Sequence, residues 1–178
     1  CLSLDLREGD IVWTSPISFV ASANCAFYCG ALVEFVDVDP NTALMSVESL
    51  KSKLIDAKQK GKLPKIVIPV HFAGQSCDMR QIHKLSKEFN FKIIEDAAHA
   101  IGGKYLDTHI GSCYYSDITV FSFHPVKIIT TAEGGAALTN NQHLAERMQL
   151  LRSHGITRDK KQMFNDNNMG WYYEQISL

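Results

Sequence analysis

Residues 65–72 read KIVIPVHF, a run of near-continuous apolar character. A strand with one face in water alternates polar and apolar side chains, so a run like this needs cover on both faces. Parallel sheets provide that cover, because each parallel pair needs a crossover connection, usually a helix packed on the sheet. The rest of the chain supplies the other parts. Short β-branched runs at 11–14, 32–38, 91–95, 118–123 and 136–139 read as strands. Longer segments of helical period lie between most of them, the alternation of an α/β domain.

The helical segments carry their own punctuation. Ser18 is placed to cap a helix bearing Phe19, Ala23, Ala26 and Phe27 that stops at Gly30. Val47, Leu50, Leu54 and Ile55 share one face of a second helix, and Lys51, Lys53, Lys58 and Lys60 its solvated face. Asp78 caps a third, with Met79, Ile82 and Leu85 inward and an end near Asn90. Leu144, Met148 and Leu151 line a fourth that ends at Gly155. The expected fold is one layered sheet with helices on both faces.

With 178 residues and 46% hydrophobic content, there is chain for one sizeable core. Eighteen basic residues against nineteen acidic ones leave a net charge of −1, which provides no footprint for nucleic acid or an anionic membrane. No apolar run reaches spanning length. Five cysteines without CxxC spacing read as reduced thiols in the cytoplasm. The chain starts on Cys1 rather than Met and runs out in the apolar pattern WYYEQISL, so it reads as a piece of a longer protein.

Ligands of open α/β sheets gather beyond the carboxyl ends of the strands. Asp96 and His99 fall there after one strand, Ser122 ends another, and Lys127 lies in the loop that follows. Lys127 has two readings: a stem packed on apolar surface with its ammonium in water, or an amine desolvated by Val126, Ile128 and Ile129 into a nucleophile. The Gly134-Gly135 pair, which would let backbone approach a ligand, favours the second. Asp96 is either a helix cap, with Glu95, or a carboxylate that pairs with a protonated pyridine nitrogen. His99 alone reads as a hydrogen-bonded histidine, and Ser122 binds either backbone or a phosphate oxygen. His83 and His109 read as solvated. GxGxxG after the first strand, GxxxxGK[ST], GxSxG and metal-ligand histidine spacing are all missing, which removes dinucleotide, P-loop, serine-hydrolase and metal readings.

The ordered set GDIVWTSPISFVASAN, GALVEFVDVDP, IPVHFAGQSCDM, IIEDAAHAIGGKY, IGSCYYSDITVFSFHPVKIITTAEGGAALTN and LAERMQLLRSHG resembles the DegT family over essentially the whole chain. These are sugar-nucleotide aminotransferases dependent on pyridoxal 5′-phosphate (PLP), of fold type I. FSFHPVKIITTAEGG and WYYEQISL are most similar to the branch that acts in pseudaminic acid synthesis. The resemblance implies a three-layer α/β/α fold with a mostly parallel mixed sheet. It makes residues 1–178 the central part of the large cofactor-binding domain, without the family's upstream phosphate-binding turn, its cross-dimer Asn segment or its C-terminal small domain.

By position, the resemblance makes Lys127 the Schiff-base lysine and Asp96 the partner of the ring nitrogen. His99 becomes a neighbour of the ring oxygen, Ser122 a phosphate ligand and Phe19 the aromatic stacked on the ring. It implies amino transfer from an amino acid, glutamate in this family, to a nucleotide-linked 4-keto-6-deoxy sugar, and a homodimer. Family dehydratases carry a histidine in place of the lysine, so Lys127 favours transamination. A non-catalytic or regulatory relative, or a sugar dehydratase, is the alternative.

Overall fold

The computed structural model describes residues 1–164 and 172–176; Trp171, Ser177 and Leu178 of the terminal WYYEQISL pattern lie outside the described residues. Six strands form the main sheet: β1 (Ile11–Thr14), β2 (Leu32–Phe35), β3 (Ile66–Ile68), β4 (Lys92–Asp96), β7 (Ile118–Ser122) and β8 (Gly135–Leu138), in the order β2-β1-β3-β4-β7-β8. All neighbours are parallel except β7 and β8, where Phe121 pairs with Ala136 in an antiparallel register. Two short antiparallel ladders stand apart, β5 (Lys104–Tyr105) with β6 (Thr108–His109) and β9 (Ile156–Thr157) with β10 (Glu174–Gln175). The expected mixed, mostly parallel sheet is what forms.

Strand periodicity sorts the core onto two faces. Trp13, Val67 and Ile93 point to one, where they pack with Leu50 and Leu54 of α2 (Val47–Gln59) and Met79, Ile82, Leu85 and Phe89 of α3 (Met79–Phe89). Val12, Ile66, Ile68, Ile94 and Ile118 point to the other, against Ala26 of α1 (Ala21–Phe27) and Leu144 of α4 (Gln142–Arg152). Each fully buried Leu or Ile in these layers contributes roughly 1.5–3 kcal/mol relative to exposure. Both faces of β3 are therefore covered, and three layers result.

Several local expectations are confirmed. Asp78 accepts the Gln81 N–H at 3.2 Å as the α3 cap, and Asn90 closes that helix in the left-handed region at φ 57°. Gly30 likewise takes φ 72° after α1. Others are corrected. Ser18 does not cap α1; the helix starts later, with Val20 at the cap position and no side-chain cap, while Ser18 bonds Ser22 and the Phe19 carbonyl. Phe19 precedes the helix rather than riding on it. Ile55 is 45% exposed, because it lies at the margin of the stripe set by Leu50, Leu54 and Ala57.

The basic face of α2 is not merely solvated. Lys53 reaches Glu34 at 2.9 Å and sits 4.7 Å from the centre of the Trp13 ring. His83 is not solvated either: its Nδ1 lies 2.9 Å from the Tyr115 carbonyl. Two strands are shorter than the apolar runs that encode them. Leu32–Phe35 stops before Val38, which bridges Met45 instead, and Ile66–Ile68 stops at Pro69, which has no N–H for the ladder. Pairing resumes at Val70, which bridges Asp96.

Candidate active site

The strand order reverses around β1: the chain goes outward to β2, then returns past β1 to β3. Ligands of such sheets gather beyond the carboxyl ends of the strands. Asp96 ends β4 and Ser122 ends the adjacent β7, so the sheet brings together residues 26 positions apart.

Asp96 is held at four points. Its N–H donates to the Pro69 carbonyl and its own carbonyl accepts the His71 N–H, both at 3.0 Å. Its Oδ1 accepts the Ala98 N–H at 3.1 Å, and its Oδ2 accepts the Ser22 hydroxyl at 2.5 Å. The cap reading is thus half correct: Asp96 braces the turn of residues 97–100, which carries His99, but no helix follows. A carboxylate has two lone-pair directions on each oxygen, so with one donor on each Asp96 keeps capacity for further donors.

His99 is exposed, and its Nε2 lies 2.8 Å from Lys127 Nζ. An ammonium has no acceptor, so Nε2 accepts and the imidazole carries its proton on Nδ1. Lys127 lies on the β7–β8 connection, where its N–H donates to the His124 carbonyl at 2.9 Å. Ser122 Oγ accepts the His124 N–H at 3.4 Å. Phe19 is 74% exposed, an aromatic ring with no core to fill.

Lys127 is not desolvated by its neighbours along the chain. Val126, Ile128 and Ile129 are all exposed, so they do not desolvate its amine. The glycine pair serves the connection itself: a Cβ on Gly135 would come within 2.9 Å of the Phe121 carbonyl, and one on Gly134 would run into Thr131. The lysine is placed by its loop and by His99, not by an apolar pocket.

The structure also reveals residues that motif reading passed over. Glu95, adjacent to Asp96, points to the opposite face of β4, as period two requires. There it is buried with His71: the imidazole Nε2 lies 2.8 Å from Glu95 Oε2, while its Nδ1 accepts the Cys77 N–H at 3.2 Å. With Nδ1 accepting, Nε2 is the ring nitrogen that donates to the carboxylate. Thr119 at 2.9 Å and Ser116 donate to the other carboxylate oxygen. Burial pushes the Glu95 carboxyl up, but the hydrogen bonds from His71, Ser116 and Thr119 outweigh it and hold the group below its ordinary value. The second missed residue is Ser22, 6% exposed beneath Asp96. The only signal for it was its spacing of three from Phe19.

No group of three or more His, Cys, Asp or Glu side chains among the described residues has the geometry for a metal ion. No helix among them is long and apolar enough to cross a membrane.

The chain is similar to several known proteins. The UDP-4-amino-4,6-dideoxy-N-acetyl-beta-L-altrosamine transaminase of Campylobacter jejuni subsp. jejuni serotype O:23/36 is 41% identical over 173 residues, which cover 96% of this chain and 44% of the relative. Helicobacter pylori PseC, described as an aminotransferase involved in the biosynthesis of pseudoaminic acid, superposes with a TM-score of 0.79 at 32% identity, over 96% of this chain and 41% of that one. NtdA from Bacillus subtilis, solved with bound cofactor PMP, gives a TM-score of 0.77 at 28% identity, over 93% of this chain and 36% of that one. The chain spans less than half the length of the curated relatives it matches. The model of the DegT/DnrJ/EryC1/StrS aminotransferase family matches residues 2–174, and the chain belongs to that family.

Proposed function

We propose that the protein containing this chain is a PLP-dependent aminotransferase that moves an amino group from an amino acid, glutamate as donor, to a nucleotide-linked 4-keto-6-deoxy sugar. The product would enter cell-surface or flagellar glycan biosynthesis, pseudaminic acid synthesis being the branch that the similar Helicobacter pylori aminotransferase is described as serving. The observation that carries this reading is the convergence of Lys127, His99, Asp96 and Ser122 at the ends of two adjacent strands, with the Lys127 amine 2.8 Å from His99.

The donor set fits PLP chemically. Lys127 offers an amine for the aldehyde carbon, Asp96 keeps an acceptor position for a ring N–H, Ser122 offers a hydroxyl for a phosphate oxygen, and Phe19 presents an uncovered ring face for stacking. When bound, PLP supplies an electron-withdrawing ring that stabilises negative charge at the carbon losing its proton. The chain's own residues do the rest. Lys127 would hold the cofactor, and its amine, when free, would take and return that proton at Nζ. His99 Nε2 gives the freed amine a resting partner, and Asp96 keeps the ring nitrogen protonated.

Residues 1–178 form, in this reading, part of the large cofactor domain, and the sugar pocket is completed by parts of the protein outside the chain. A homodimer belongs to the proposal, supported by exposed apolar residues Phe27, Tyr28, Val126 and Ile128 near the site segments. A cytoplasmic setting is supported by five free cysteines.

Borohydride reduction of the full-length protein loaded with PLP, followed by peptide mass analysis, tests the assignment. The pyridoxyl mass is expected on the peptide bearing Lys127, and prior addition of glutamate should abolish the labelling. A label on another lysine, or none at all, overturns the proposal.

A further inference from the structure

Asp96 meets a partner that no strand-end motif contains. Ser22 lies in the first turn of α1, and its hydroxyl donates to Asp96 Oδ2 across 74 positions of sequence. An ionised carboxylate can only accept, so the direction of this bond is settled. Ser22 in turn lies 2.8 Å from the Ser18 hydroxyl, whose single proton has Ser22 Oγ and the Phe19 carbonyl, at 3.1 Å, as acceptors. Ala98 N–H holds the other carboxylate oxygen from the opposite side. One donor on each oxygen fixes the plane of the carboxylate, and with it the directions of the lone pairs left for a third donor.

The same short segment carries Phe19, three residues before Ser22. Phe19 itself is mostly exposed and has little packing to hold it. Ser22 is buried and ties this segment to β4. We infer that Ser22 is a positioning residue: it aims the Asp96 carboxylate and, through the same bond, fixes the segment bearing Phe19 relative to that carboxylate. Two walls of one site, from the ends of β1 and β4, are set by one hydroxyl. This rests on the proposed pairing of Asp96 with a ring nitrogen and adds a residue to it.

The test compares Ser22→Ala, Ser22→Thr and Ser18→Ala with wild type in the full-length protein loaded with PLP. The measurements are the single-turnover rate with glutamate at saturation, the apparent KM for glutamate, and the thermal midpoint. Ser22→Ala removes one atom and leaves no overlap, so the fold is expected to persist, with its midpoint lowered by several degrees at most for one lost hydrogen bond. Its rate at saturation should fall about tenfold, the size of one lost hydrogen bond to a charged group. The KM should move less than about twofold, since a misaimed Asp96 affects the proton-transfer step rather than donor binding. Ser22→Thr keeps the hydroxyl and should recover most of the rate, and Ser18→Ala should cost about two- to threefold because it acts one bond further away. A wild-type rate in Ser22→Ala, or a loss confined to KM, overturns the role of Ser22. If wild type itself takes up no PLP or does not react with glutamate, the proposed function fails instead, and the two failures are told apart by that control.

Discussion

Replacing Glu95 by Gln removes one charge from the buried network beneath the candidate site and keeps its volume. In the native protein the Glu95 side chain is 6% exposed and accepts from His71 Nε2 at 2.8 Å, from Thr119 Oγ1 at 2.9 Å, and from Ser116. A hydrogen bond to a charged group contributes about 1.5–3 kcal/mol net, against about 1 for a neutral one. Glutamine can still accept from His71 through its oxygen. Ser116 and Thr119 can rotate their hydroxyls to accept from its NH2, so satisfaction survives while charge assistance is lost at three bonds. The expected destabilisation is about 2–3 kcal/mol, or roughly 5–10 °C in the unfolding midpoint of a domain this size. Calorimetry of the full-length protein measures it. Glu95→Ala, which strands all three donors and opens a cavity, should lose more, on the order of 3–5 kcal/mol.

The pH dependence gives the same prediction a second readout. Hydrogen bonding holds the folded Glu95 carboxyl below its ordinary value of 4.5 despite burial. A carboxylate depressed on folding contributes its full stability above the unfolded value and loses it as pH falls through the folded one. The advantage of wild type over Glu95→Gln should therefore be constant near neutrality, shrink below about pH 5, and vanish below the folded value. A glutamine variant within about 0.5 kcal/mol of wild type at pH 7, or a difference that grows in acid, would refute the account of the network.

Gly74→Ala combines φ +87° with a Cβ placed 2.8 Å from the His99 carbonyl, so it should lower stability by about 1–3 kcal/mol and weaken PLP retention by displacing the His99 turn, both read in one cofactor titration with thermal melts. Retention equal to wild type would show that the turn tolerates the shift. Burial pushes the Cys77 thiol up to about 12, so iodoacetamide at pH 8 should leave it unmodified in the native protein and alkylate it in urea; native labelling at the rate of a free thiol would contradict its burial. Phe19→Ala should leave the thermal midpoint within about 2 °C, because the ring is mostly exposed, yet weaken PLP retention; a large drop in the midpoint would make Phe19 a packing residue.

The apolar run at 65–72 and the alternation around it were enough to specify a parallel sheet with helices on both faces. The reason is local: period, caps and left-handed terminators act within a few residues, and Asp78, Asn90 and Gly30 behave as their chemistry requires. Element ends were less legible. Pro69 breaks a ladder that apolar character alone would continue, and Ser18 carries the side chain of a cap while its backbone precedes the helix start.

For the candidate site, Asp96, His99, Ser122 and Lys127 were identifiable as polar residues at strand ends and as members of an ordered motif series. Their physical setting was not. Apolar neighbours along the chain suggested a desolvated Lys127, but side chains adjacent in sequence need not face the same way, and Val126, Ile128 and Ile129 turn outward. Glu95 and Asp96 are adjacent in sequence and point to opposite sides of the sheet, one into a buried network with His71 and one toward Ser22 of α1. Ser22 reaches Asp96 only because β1 and β4 flank β3 in the sheet. Sequence by itself determined the fold class, the family and the identity of the groups at the strand ends. Which of them touch, which face water and which hydroxyl holds the carboxylate were decided only in the tertiary structure, because strand order brings together residues whose separation along the chain carries no trace of it.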